Sequence, residues 1–438
     1  MTLLTAKRLR NLYSMFFYLA IPLILLRLLW RALRSGNAVS RTAERFGIFP
    51  IEPTWQRGIW LHAVSLGESK AATPLIKAIA AAYPDYPIIV TTTTFTGSDN
   101  VLKTFGDKVF HVYAPYDLPF AVKGFLKRTK PALAVIMETE LWPNWLHACG
   151  VAGIPVMLAN GRLSERSRQG YAKIQPLVDE MFQRIAVIAV QSQIDAKRFA
   201  SLGMPAARLP VTGNLKFDQH IPQSAEEVAA KLRSSWGASR PVWIAASTHD
   251  QEEEAVLSAF QQIRARHPNA LLMLVPRHPE RFSKVTQLCK RQPYRVGLRS
   301  DAEIAPDMDI LIGDTMGELA IFYAAADVAF VGGSLVPVGG HNLLEPAALG
   351  IATLTGPHYF NCEEVAEALF DSEAVALVHN SDELAFWVNA LFDDVAKRTA
   401  MGERGLKMVM DNRGAVVRHL RLIDEVAPHL TKAAPQNE

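Results

Sequence analysis

Short apolar runs alternate with helical patterns along most of the chain after residue 36. Runs typical of buried strands are GIWLHAV, PIIVTTTT, LAVIMET, PVMLAN and AVIAVQS in the first half and PVWIAAS, ALLMLVP, YRVGL, DILIGD, VAFVGG, IATLTG and AVALV in the second. Amphipathic stretches such as AATPLIKAIAAAY and QIDAKRFASLG lie between them. This alternation is typical of βαβ units and predicts an α/β fold in two halves, each built on a parallel sheet.

The alternation pauses near NLKFDQHIPQSAEEVAAKL, where Pro210, Gly213 and Pro222 lie close together. We therefore place the boundary between the halves here and expect the final helical segment to cross back onto the first half. The predicted segments are an N-terminal membrane-associated helix (1–36), a first Rossmann-like domain (37–225), a second Rossmann-like domain (226–405) and a C-terminal crossing helix with its tail (406–438). Ligands of such sheets bind at the carboxyl ends of the strands, so a site is expected in the strand-to-helix loops of two facing domains.

The N-terminus carries an apolar run, residues 12–26, that is interrupted only by Ser14. Basic residues flank the run on both sides, namely Lys7, Arg8, Arg10, Arg27, Arg31 and Arg34. A membrane-spanning helix needs about 20 apolar residues, so the run is short for a span. A single span, an anchor lying in the membrane plane and a helix packed on the protein all fit this pattern. The flanking positive charge favours contact with an anionic leaflet and predicts the cytoplasmic face of the inner membrane.

Composition narrows the class of protein. The chain has 438 residues, of which 49% are hydrophobic and 20% charged, as is typical of a folded protein with about two or three domains. A net charge of +3 without a dense basic stripe argues against a nucleic-acid partner. The three cysteines are scattered, so the sequence predicts neither a disulfide framework nor a thiolate metal site. No P-loop, GxSxG or HExxH motif is present in the sequence.

Four loops share the spacing of a polar residue followed three positions later by an acid. The pairs are Ser65 and Glu68 in SLGE, Ser247 and Asp250 in STHD, Thr315 and Glu318 in TMGE, and Asn342 and Glu345 in NLLE. This is the capping-box pattern, in which the two side chains bond free N–H groups at the start of a helix. Glycines beside three of the acids are not required by a cap, and helix N-termini favour anions. Capping and the binding of a phosphate-bearing ligand both stay open for these loops.

The loop GGSLVPVGGHNLLEPAALG, residues 332–350, is the most glycine-rich of the connections. A plain connection needs about two to six residues and one turn-former. Repeated glycine indicates that something lies close against the backbone, where a Cβ would collide with it.

Further candidate residues follow other predicted strands. METELWP carries Glu138 and Glu140 beside Trp142, and two acids next to an apolar run favour a site. VPRHPERF carries Arg277, whose planar guanidinium suits a phosphate or a base carbonyl. TGNLKFD carries Lys216, which can neutralise a nearby acid or meet an anionic substrate. The DMD at residues 307–309 precedes a predicted strand instead of following one, so we do not predict a metal site there.

The sequence resembles the 3-deoxy-D-manno-octulosonic acid (Kdo) transferases of lipopolysaccharide synthesis. The matching blocks, in the order of that family, are HAVSLGE, METELWPN, TGNLKFD, STHD, VPRHPERF, GDTMGEL, FVGGSLVPVGGHNLLEPA and GPHYFN. No block is decisive alone, but together they are specific and cover nearly the whole chain. The resemblance implies an inverting, metal-independent glycosyltransferase of the GT-B type. Its donor would be CMP-Kdo, its acceptor a lipid A precursor (lipid IVA) at the membrane, and it would need no cofactor.

The resemblance also implies roles for individual residues. The implied catalytic residues are Glu68 in SLGE as proton acceptor, with Glu138 in METE and Lys216 in NLKFD as transition-state stabilisers. The implied CMP-binding residues are Pro276 and Arg277 in PR, Gly317, Glu318 and Leu319 in GEL, and Asn342, Leu343, Leu344 and Glu345 in NLLE. The family often differs at Leu343 and Pro346, which matters little for contacts made by the backbone. The nucleotide would then be what lies against the glycines of residues 332–350, with Glu345 holding its polar edge.

Two other functions stay open at this point. One is a GT-B enzyme with a different nucleotide donor, or a nucleotide-sugar epimerase, although a soluble epimerase has no use for the apolar N-terminal run. The other is a non-catalytic, membrane-associated nucleotide sensor. The first alternative differs from a Kdo transferase in the nucleotide that it prefers. The second differs in that its function does not need Glu68.

Overall fold

A computed structural model describes residues 2–35, 41–218, 223–301 and 305–432 of the chain. Its contacts divide the chain into two compact units. Unit 1 comprises Met1–Asp218 and Arg413–Glu438, and unit 2 comprises Gln219–Asn412. The predicted limits of the second domain, residues 226 and 405, lie inside unit 2.

Unit 1 is built on one parallel sheet. Its strands are β1 (Ile59–His62), β2 (Ile88–Thr92), β3 (Phe110–Tyr113), β4 (Leu133–Met137), β5 (Val156–Gly161) and β6 (Val187–Val190). They lie in the order β3-β2-β1-β4-β5-β6, and every neighbouring pair is parallel. All strands except β3 are buried along their whole length. Because parallel sheets are covered on both faces, such strands appear in the sequence as continuous apolar runs, and these five were predicted.

Strand β3 was not predicted from the sequence. This strand lies at the edge of the sheet and pairs only with β2 among the described residues. Its sequence FHVY contains His111, and its first two residues are only partly buried. His111 bonds the Thr92 hydroxyl at 2.9 Å and the Arg41 guanidinium at 3.0 Å. A four-residue edge strand with a polar residue inside carries little of the apolar signal on which the predictions were based.

Helices connect and cover these strands. Before the boundary they are α1 (Thr2–Ser35), α2 (Leu66–Ala82), α3 (Phe95–Phe105), α4 (Pro119–Thr129), α5 (Pro143–Val151), α6 (Glu165–Ala172), α7 (Gln175–Gln183) and α8 (Gln193–Ser201). An aromatic cluster fixes two of them against the middle of the sheet. Trp60 of β1 packs on Phe125 of α4 and on Trp145 of α5, with ring centroids 4.7 and 5.0 Å apart.

Helix α1 packs against helices α5 and α7 of the same unit through polar side chains. Arg10 forms an ion pair with Glu180 of α7. Ser14 exchanges hydrogen bonds of 3.0 and 3.2 Å with the amide of Asn144 in α5. Ala6 is buried as well. Because residues four apart share one face of a helix, Ala6, Arg10 and Ser14 form the buried face of α1.

This arrangement corrects the expectation of an apolar N-terminal helix. Among the described residues, no helix combines the length and the apolar character needed to cross a membrane. Helix α1 has sufficient length, but basic residues bound its apolar run on both sides and Arg10 lies on its buried face.

Unit 2 is also built on one parallel sheet. Its strands are β7 (Val242–Thr248), β8 (Leu271–Pro276), β9 (Val296–Leu298), β10 (Ile310–Ile312), β11 (Val328–Val331), β12 (Ala352–Thr355) and β13 (Val375–Leu377). They lie in the order β13-β12-β11-β7-β8-β10-β9, with every neighbouring pair parallel. Each corresponds to a run singled out in the sequence, so the prediction of a second parallel α/β half is confirmed.

The helices of unit 2 complete its βαβ connections. They are α9 (Gln223–Trp236), α10 (Glu252–Arg266), α11 (Phe282–Lys290), α12 (Leu319–Ala324), α13 (Leu344–Ala348), α14 (Glu363–Asp371), α15 (Ser381–Asp393) and α16 (Val395–Asn412). Most of the residues implied in CMP binding lie in the short helices α12 and α13 or directly before them.

The last helix, α17 (Ala415–Val426), belongs to unit 1. Asp218 binds its start, because its carboxylate oxygens accept from the N–H groups of Gly414 at 2.6 Å and of Val416 at 2.5 Å. Asp218, the residue at which the chain leaves unit 1, thus also binds the start of the segment that returns to unit 1.

Candidate active site

The carboxyl ends of β1 and β4 lie side by side in the centre of the unit 1 sheet. Strands β1, β2 and β3 follow one another towards one edge of the sheet, and strands β4, β5 and β6 follow one another towards the opposite edge. Such a topological switch point is where open α/β sheets bind ligands. Glu68 lies in the first turn of α2, after β1, and Glu138 directly follows β4. The charge of Glu138 affects the pKa of Glu68, so the fold brings these two predicted catalytic residues together.

Glu68 caps helix α2. Its Oε2 accepts from the N–H of Val64 at 2.8 Å, and its Oε1 accepts from the Ser65 hydroxyl at 3.2 Å. The Ser65 hydroxyl in turn accepts from the N–H of Glu68 at 3.4 Å. The capping interpretation of SLGE is therefore confirmed. A carboxylate offers about four lone pairs, so these bonds leave acceptor capacity for a ligand.

The pKa of Glu68 is raised to about 7, chiefly by burial and then by the charges of Glu138 and Glu140. Glu383 offers a comparison, because it caps α15 in the same way and accepts from the N–H of His379 at 3.0 Å. Glu383 is exposed, and the hydrogen bond from the His379 side chain lowers its pKa. Capping alone therefore does not raise the pKa of Glu68, whereas its burial and the charges of Glu138 and Glu140 do. A carboxylate that titrates near neutral pH is suited to accept a proton there.

Glu138 has a backbone conformation that is rare outside glycine. Its φ is +54°, while its N–H still donates to the carbonyl of Ala159 at 2.9 Å. Such a conformation costs roughly 1–3 kcal/mol and is found preferentially at functional sites. Glu140 lies two residues further on and accepts from the Trp142 indole at 2.7 Å, and burial raises its pKa. The METE loop thus adds two carboxylates to the edge at which Glu68 lies.

Lys216 lies in a short 3-10 turn, Leu215–Phe217, that packs against α2. The N–H of Lys216 donates to the Asn214 side chain at 3.0 Å, and the N–H of Leu215 donates to the Asn160 side chain at 2.9 Å. The third predicted catalytic residue therefore lies on a turn that contacts the helix carrying Glu68.

Asn160, which holds this turn, was missed in the sequence. It lies in β5 with a φ of +56° and is fully buried. Its N–H donates to Nε2 of His419 in α17 at 3.0 Å, and Nδ1 of His419 bonds the carbonyl of Ala415 at 2.7 Å. Burial lowers the pKa of His419 to about 4, which keeps the imidazole neutral and Nε2 an acceptor. The Asn-Gly pair at residues 160 and 161, where the strand run PVMLAN ends, is the signal that indicates such a left-handed residue.

The residues implied in CMP binding all lie at one edge of the unit 2 sheet. Pro276 ends β8 and Arg277 follows it, while residues 317–319 follow β10 and residues 342–345 follow β11. Because these strands are parallel, their carboxyl ends share one edge. The N–H of Arg277 donates to the carbonyl of Thr248, the last residue of β7, at 3.0 Å.

The acids of the TMGE and NLLE loops bond side chains of their own unit. Glu318 accepts from the Arg299 guanidinium at 2.7 Å and from the Thr315 hydroxyl. Glu345 accepts from the Asn342 amide at 3.0 Å. The side chains of Leu343 and Leu344 are buried, so these two residues can offer a ligand only their main chain.

The capping prediction for Ser247 and Asp250 is wrong. Helix α10 begins at Glu252, and Gln251 precedes it with a left-handed backbone and no capping side chain. Asp250 instead pairs with Arg281 and Lys284, each at 2.8 Å. Ser247 itself has a φ of +57°, so the chain turns before a capping box can form.

The buried carboxylate of Glu252 holds the glycine-rich loop and was missed in the sequence. Its Oε1 accepts from the N–H groups of Ser334 and Leu335, both at 2.9 Å. Its Oε2 accepts from the N–H groups of Gly333 at 2.7 Å and His249 at 2.9 Å. Glu252 is fully buried, so four main-chain donors surround one carboxylate inside the protein.

Glycines of this loop accommodate side chains of the protein itself. A Cβ on Gly333 would lie 2.9 Å from His341 Cδ2, and a Cβ on Gly339 would lie 2.3 Å from the Asn361 amide nitrogen. Both glycines also have a positive φ. At these two glycines the protein's own side chains therefore account for the absence of a Cβ, and the binding of a nucleotide against the loop stays a prediction. Gly317 differs, since a Cβ there would meet no described atom within 4 Å.

Comparison with known proteins identifies the family. A family model described as "3-Deoxy-D-manno-octulosonic-acid transferase (kdotransferase)" matches residues 40–219. The 3-deoxy-D-manno-octulosonic acid transferase of Haemophilus influenzae is 41% identical over 428 residues, which are 97% of this chain and 99% of that protein. The chain belongs to the Kdo transferase family. The Kdo transferase of Bordetella pertussis is 33% identical over 429 residues, 95% of this chain and 99% of that protein.

Solved structures share the fold of this Kdo transferase. Acinetobacter baumannii MurG matches 84% of this chain and 99% of its own at 14% identity, with a TM-score of 0.52. The UDP-GlcNAc 2-epimerase of Neisseria meningitidis matches 83% of this chain and 99% of its own at 11% identity, with a TM-score of 0.53. At these identities the likeness concerns the fold alone.

Proposed function

We propose that this Kdo transferase moves Kdo from CMP-Kdo to a lipid A precursor, lipid IVA, with inversion at the transferred sugar, in lipopolysaccharide core biosynthesis. The observation that carries the proposal is that Glu68 and the strained Glu138 follow the neighbouring strands β1 and β4 at the switch point of unit 1. Two Rossmann-like units and the likeness to MurG support a GT-B architecture.

The reaction needs a base for the acceptor. The acceptor hydroxyl oxygen bonds the anomeric carbon of Kdo, the bond from that carbon to the phosphate oxygen breaks, and CMP leaves with the electron pair. The hydroxyl proton passes to the Glu68 carboxylate, and a positioned base of this kind contributes roughly 10²- to 10⁴-fold. The donor carbon gains oxocarbenium character. Glu138 is suited to stabilise that positive charge, and Lys216 to balance the carboxylates around it.

The edge of the unit 2 sheet is suited to the nucleotide. Arg277 supplies positive charge for the departing phosphate. Glu318 and Glu345 repel a phosphate but can accept hydrogen bonds from ribose hydroxyls or the cytosine amino group. Leu343 and Leu344 offer main-chain contacts because their side chains are buried.

The direct test is analysis of products. The protein is incubated with CMP-Kdo and lipid IVA, and the lipid is examined by mass spectrometry for the addition of Kdo. Thermal unfolding in the presence of CMP, UDP or GDP distinguishes the alternatives, because a Kdo transferase is stabilised most by CMP. A protein stabilised by UDP and inactive with CMP-Kdo would contradict the proposal.

We expect Arg277→Ala to weaken CMP binding by about 1.5–3 kcal/mol, roughly 10- to 150-fold in Kd, because a charged hydrogen bond to the phosphate is lost. Calorimetric titration with CMP measures the effect. Arg291→Ala removes an exposed arginine of the same unit and is expected to leave the Kd unchanged. Equal CMP affinity in the Arg277 variant and the wild type would remove Arg277 from the site.

We also propose that the enzyme contacts the cytoplasmic surface of the inner membrane through α1 without crossing it. The face of α1 opposite Ala6, Arg10 and Ser14 is apolar and exposed. Its members recur at helical spacing and are Leu12, Met15, Phe16, Leu19, Leu23 and Leu26, each more than half exposed. An apolar helix face flanked by basic residues is typical of a helix lying in the membrane interface.

Replacing Leu19 and Leu23 together by Ser should therefore reduce membrane binding. Burial of a leucine side chain contributes roughly 1.5–3 kcal/mol, so we expect flotation with vesicles containing an anionic phospholipid to fall at least about tenfold. Leu102→Ser, at an exposed leucine of α3, is the matched control and should float like the wild type. Unchanged flotation of the double variant would rule out this face of α1 as the contact.

A further inference from the structure

Helices α4 and α5 of unit 1 border an open groove of about 620 Å³. Its wall along α5 is formed by residues at helical spacing, namely Asn144, His147, Ala148 and Val151. The volume falls within the roughly 300–1,000 Å³ that is typical of ligand-binding sites. The groove was not predicted from the sequence, because strand β4 lies between the two helices in the chain.

The floor of the groove is apolar and belongs to the core of unit 1. Leu126 of α4 is a member of the hydrophobic cluster that covers this face of the sheet, and Ala148 and Ile154 pack against the same cluster. Val151 lies at the rim and is 72% exposed. Because Ala148 and Ala152 are small, the space above the floor stays open. A ligand that covers this floor must offer apolar surface of its own.

Three lysines of α4 border the groove. Lys123, Lys127 and Lys130 recur at helical spacing, and all three are exposed. A lysine stem can lie along an apolar wall while its ammonium group stays in water. Lys130 donates to the neutral side chain of Gln56 at 3.3 Å, and none of the described residues that line the groove is acidic. The border is therefore suited to an anionic group.

The groove continues onto helix α1. A second depression, of about 510 Å³, adjoins it and shares three residues with it, namely Pro119, Asn144 and His147. The far side of this depression is formed by α1, including Met15 and Leu19 of its exposed apolar face. Tyr18 of α1 also stacks on Phe120 of α4, with ring centroids 6.1 Å apart. The groove thus opens beside the helix face that we expect to lie in the membrane interface.

We propose that the groove between α4 and α5 binds one anionic phospholipid of the membrane, with an acyl chain along the apolar floor and the headgroup phosphate at Lys123, Lys127 and Lys130. Burial of the chain removes apolar surface from water, and lysines near the membrane surface attract anionic headgroups. The apolar floor favours a lipid over a free phosphate. The inference goes beyond Kdo transfer, but it rests on the proposed membrane contact of α1 for the identity of the ligand.

Binding of a soluble phospholipid tests the groove. Dioctanoyl phosphatidylglycerol is titrated into the full chain by calorimetry, below the concentration at which it forms micelles. Dioctanoyl phosphatidylcholine and glycerol phosphate are titrated in parallel. We expect saturable binding of one phosphatidylglycerol per chain, and at least about tenfold weaker binding of phosphatidylcholine, which carries no net charge. Glycerol phosphate should not bind, because it lacks the acyl chains.

Variants of the two walls separate the headgroup contact from the chain contact. Replacing Lys123, Lys127 and Lys130 together by Ala should weaken binding of phosphatidylglycerol at least about tenfold, because the cations that meet its phosphate are lost. Ala152→Trp fills the groove at an exposed position and should weaken binding of both phospholipids. Val151→Glu is a second block of the groove, with a charge placed at its exposed rim.

The matched control replaces Lys77, Lys103 and Lys108 together by Ala, since these exposed lysines of the same unit lie outside the groove. This variant should bind phosphatidylglycerol as the wild type does. Equal weakening by the two lysine triples would mean a general effect of surface charge and would overturn the proposal. Unchanged binding in both Ala152→Trp and Val151→Glu would overturn it as well.

Two further outcomes separate the groove from its neighbours. A raised KM for detergent-solubilised lipid IVA in Ala152→Trp would assign the groove to the acceptor and overturn the proposal. A wild type that floats with anionic vesicles but shows no saturable binding of phosphatidylglycerol would overturn the groove and leave the membrane contact of α1 intact. A wild type that does neither would overturn both.

Discussion

Replacing Glu68 by Gln is expected to lower the rate of Kdo transfer by at least about 100-fold while CMP binding is retained. The amide cannot accept the hydroxyl proton of the acceptor, but its oxygen can still accept from the N–H of Val64, as the Glu68 carboxylate does at 2.8 Å. The cap of α2 is therefore kept and the base is lost. Transfer is measured with CMP-Kdo and lipid IVA, and CMP affinity by calorimetry on the same preparation.

The pH profile gives this prediction a second readout. Glu68 accepts a proton only when ionised, and its pKa is raised to about 7. In the wild type, kcat/KM should therefore rise with pH up to about 7 and level off above it. The residual activity of Glu68→Gln should lack this ionisation.

Glu383→Gln is the matched control, because Glu383 caps α15 with the same pair of contacts but is exposed and has a lowered pKa. We expect it to transfer Kdo at the wild-type rate with an unchanged pH profile. Kdo transfer by Glu68→Gln at the wild-type rate would mean that Glu68 only caps helix α2 and is not the base of the proposed mechanism.

Replacing Glu252 by Gln is expected to destabilise unit 2 strongly. The carboxylate accepts from four main-chain N–H groups, and an amide oxygen can serve only the two on its own side. The amide NH₂ group would face the other two donors in the protein interior. Each unsatisfied buried group costs about 1–3 kcal/mol, so we expect a loss of roughly 2–6 kcal/mol in the free energy of unfolding. Urea unfolding measures this loss, and hydrogen exchange of the loop around Ser334 shows where it arises.

Glu254→Gln is the control, since Glu254 lies two residues further along α10 with its side chain exposed. Its effect on stability should stay within about 0.5 kcal/mol. An unchanged urea midpoint and unchanged exchange in Glu252→Gln would contradict the role of Glu252 as the residue that holds the glycine-rich loop.

Glu68 and Glu252 show which contacts a local sequence pattern can predict and which it cannot. SLGE predicts a cap for Glu68, and the structure contains it, because a capping box involves atoms within four residues of one another. Glu252 belongs to QEEE, which is typical of a solvent-exposed helix start. Its partners Gly333, Ser334 and Leu335 lie more than 80 residues away, so no local pattern indicates that it is buried.

The glycine-rich loop is a second case of partners that no local pattern indicates. Its glycines do indicate close packing, as predicted, but the neighbours include His341 and Asn361 of the protein itself. The edge strand β3 was missed because partial burial and His111 remove the apolar signal that the central strands carry.

The sequence by itself determined the family of this chain, the parallel α/β character of its two halves, and the loops that follow each strand. It did so because apolar runs, capping patterns and motif blocks depend on residues close together in the chain. Only the tertiary structure decided which groups meet: the burial and the neighbouring carboxylates that raise the pKa of Glu68, the polar face on which α1 docks, and the buried carboxylate of Glu252 that holds the loop after β11. Burial, charge coupling and hydrogen bonds between distant segments act through space, and the packing of the sheets creates that proximity.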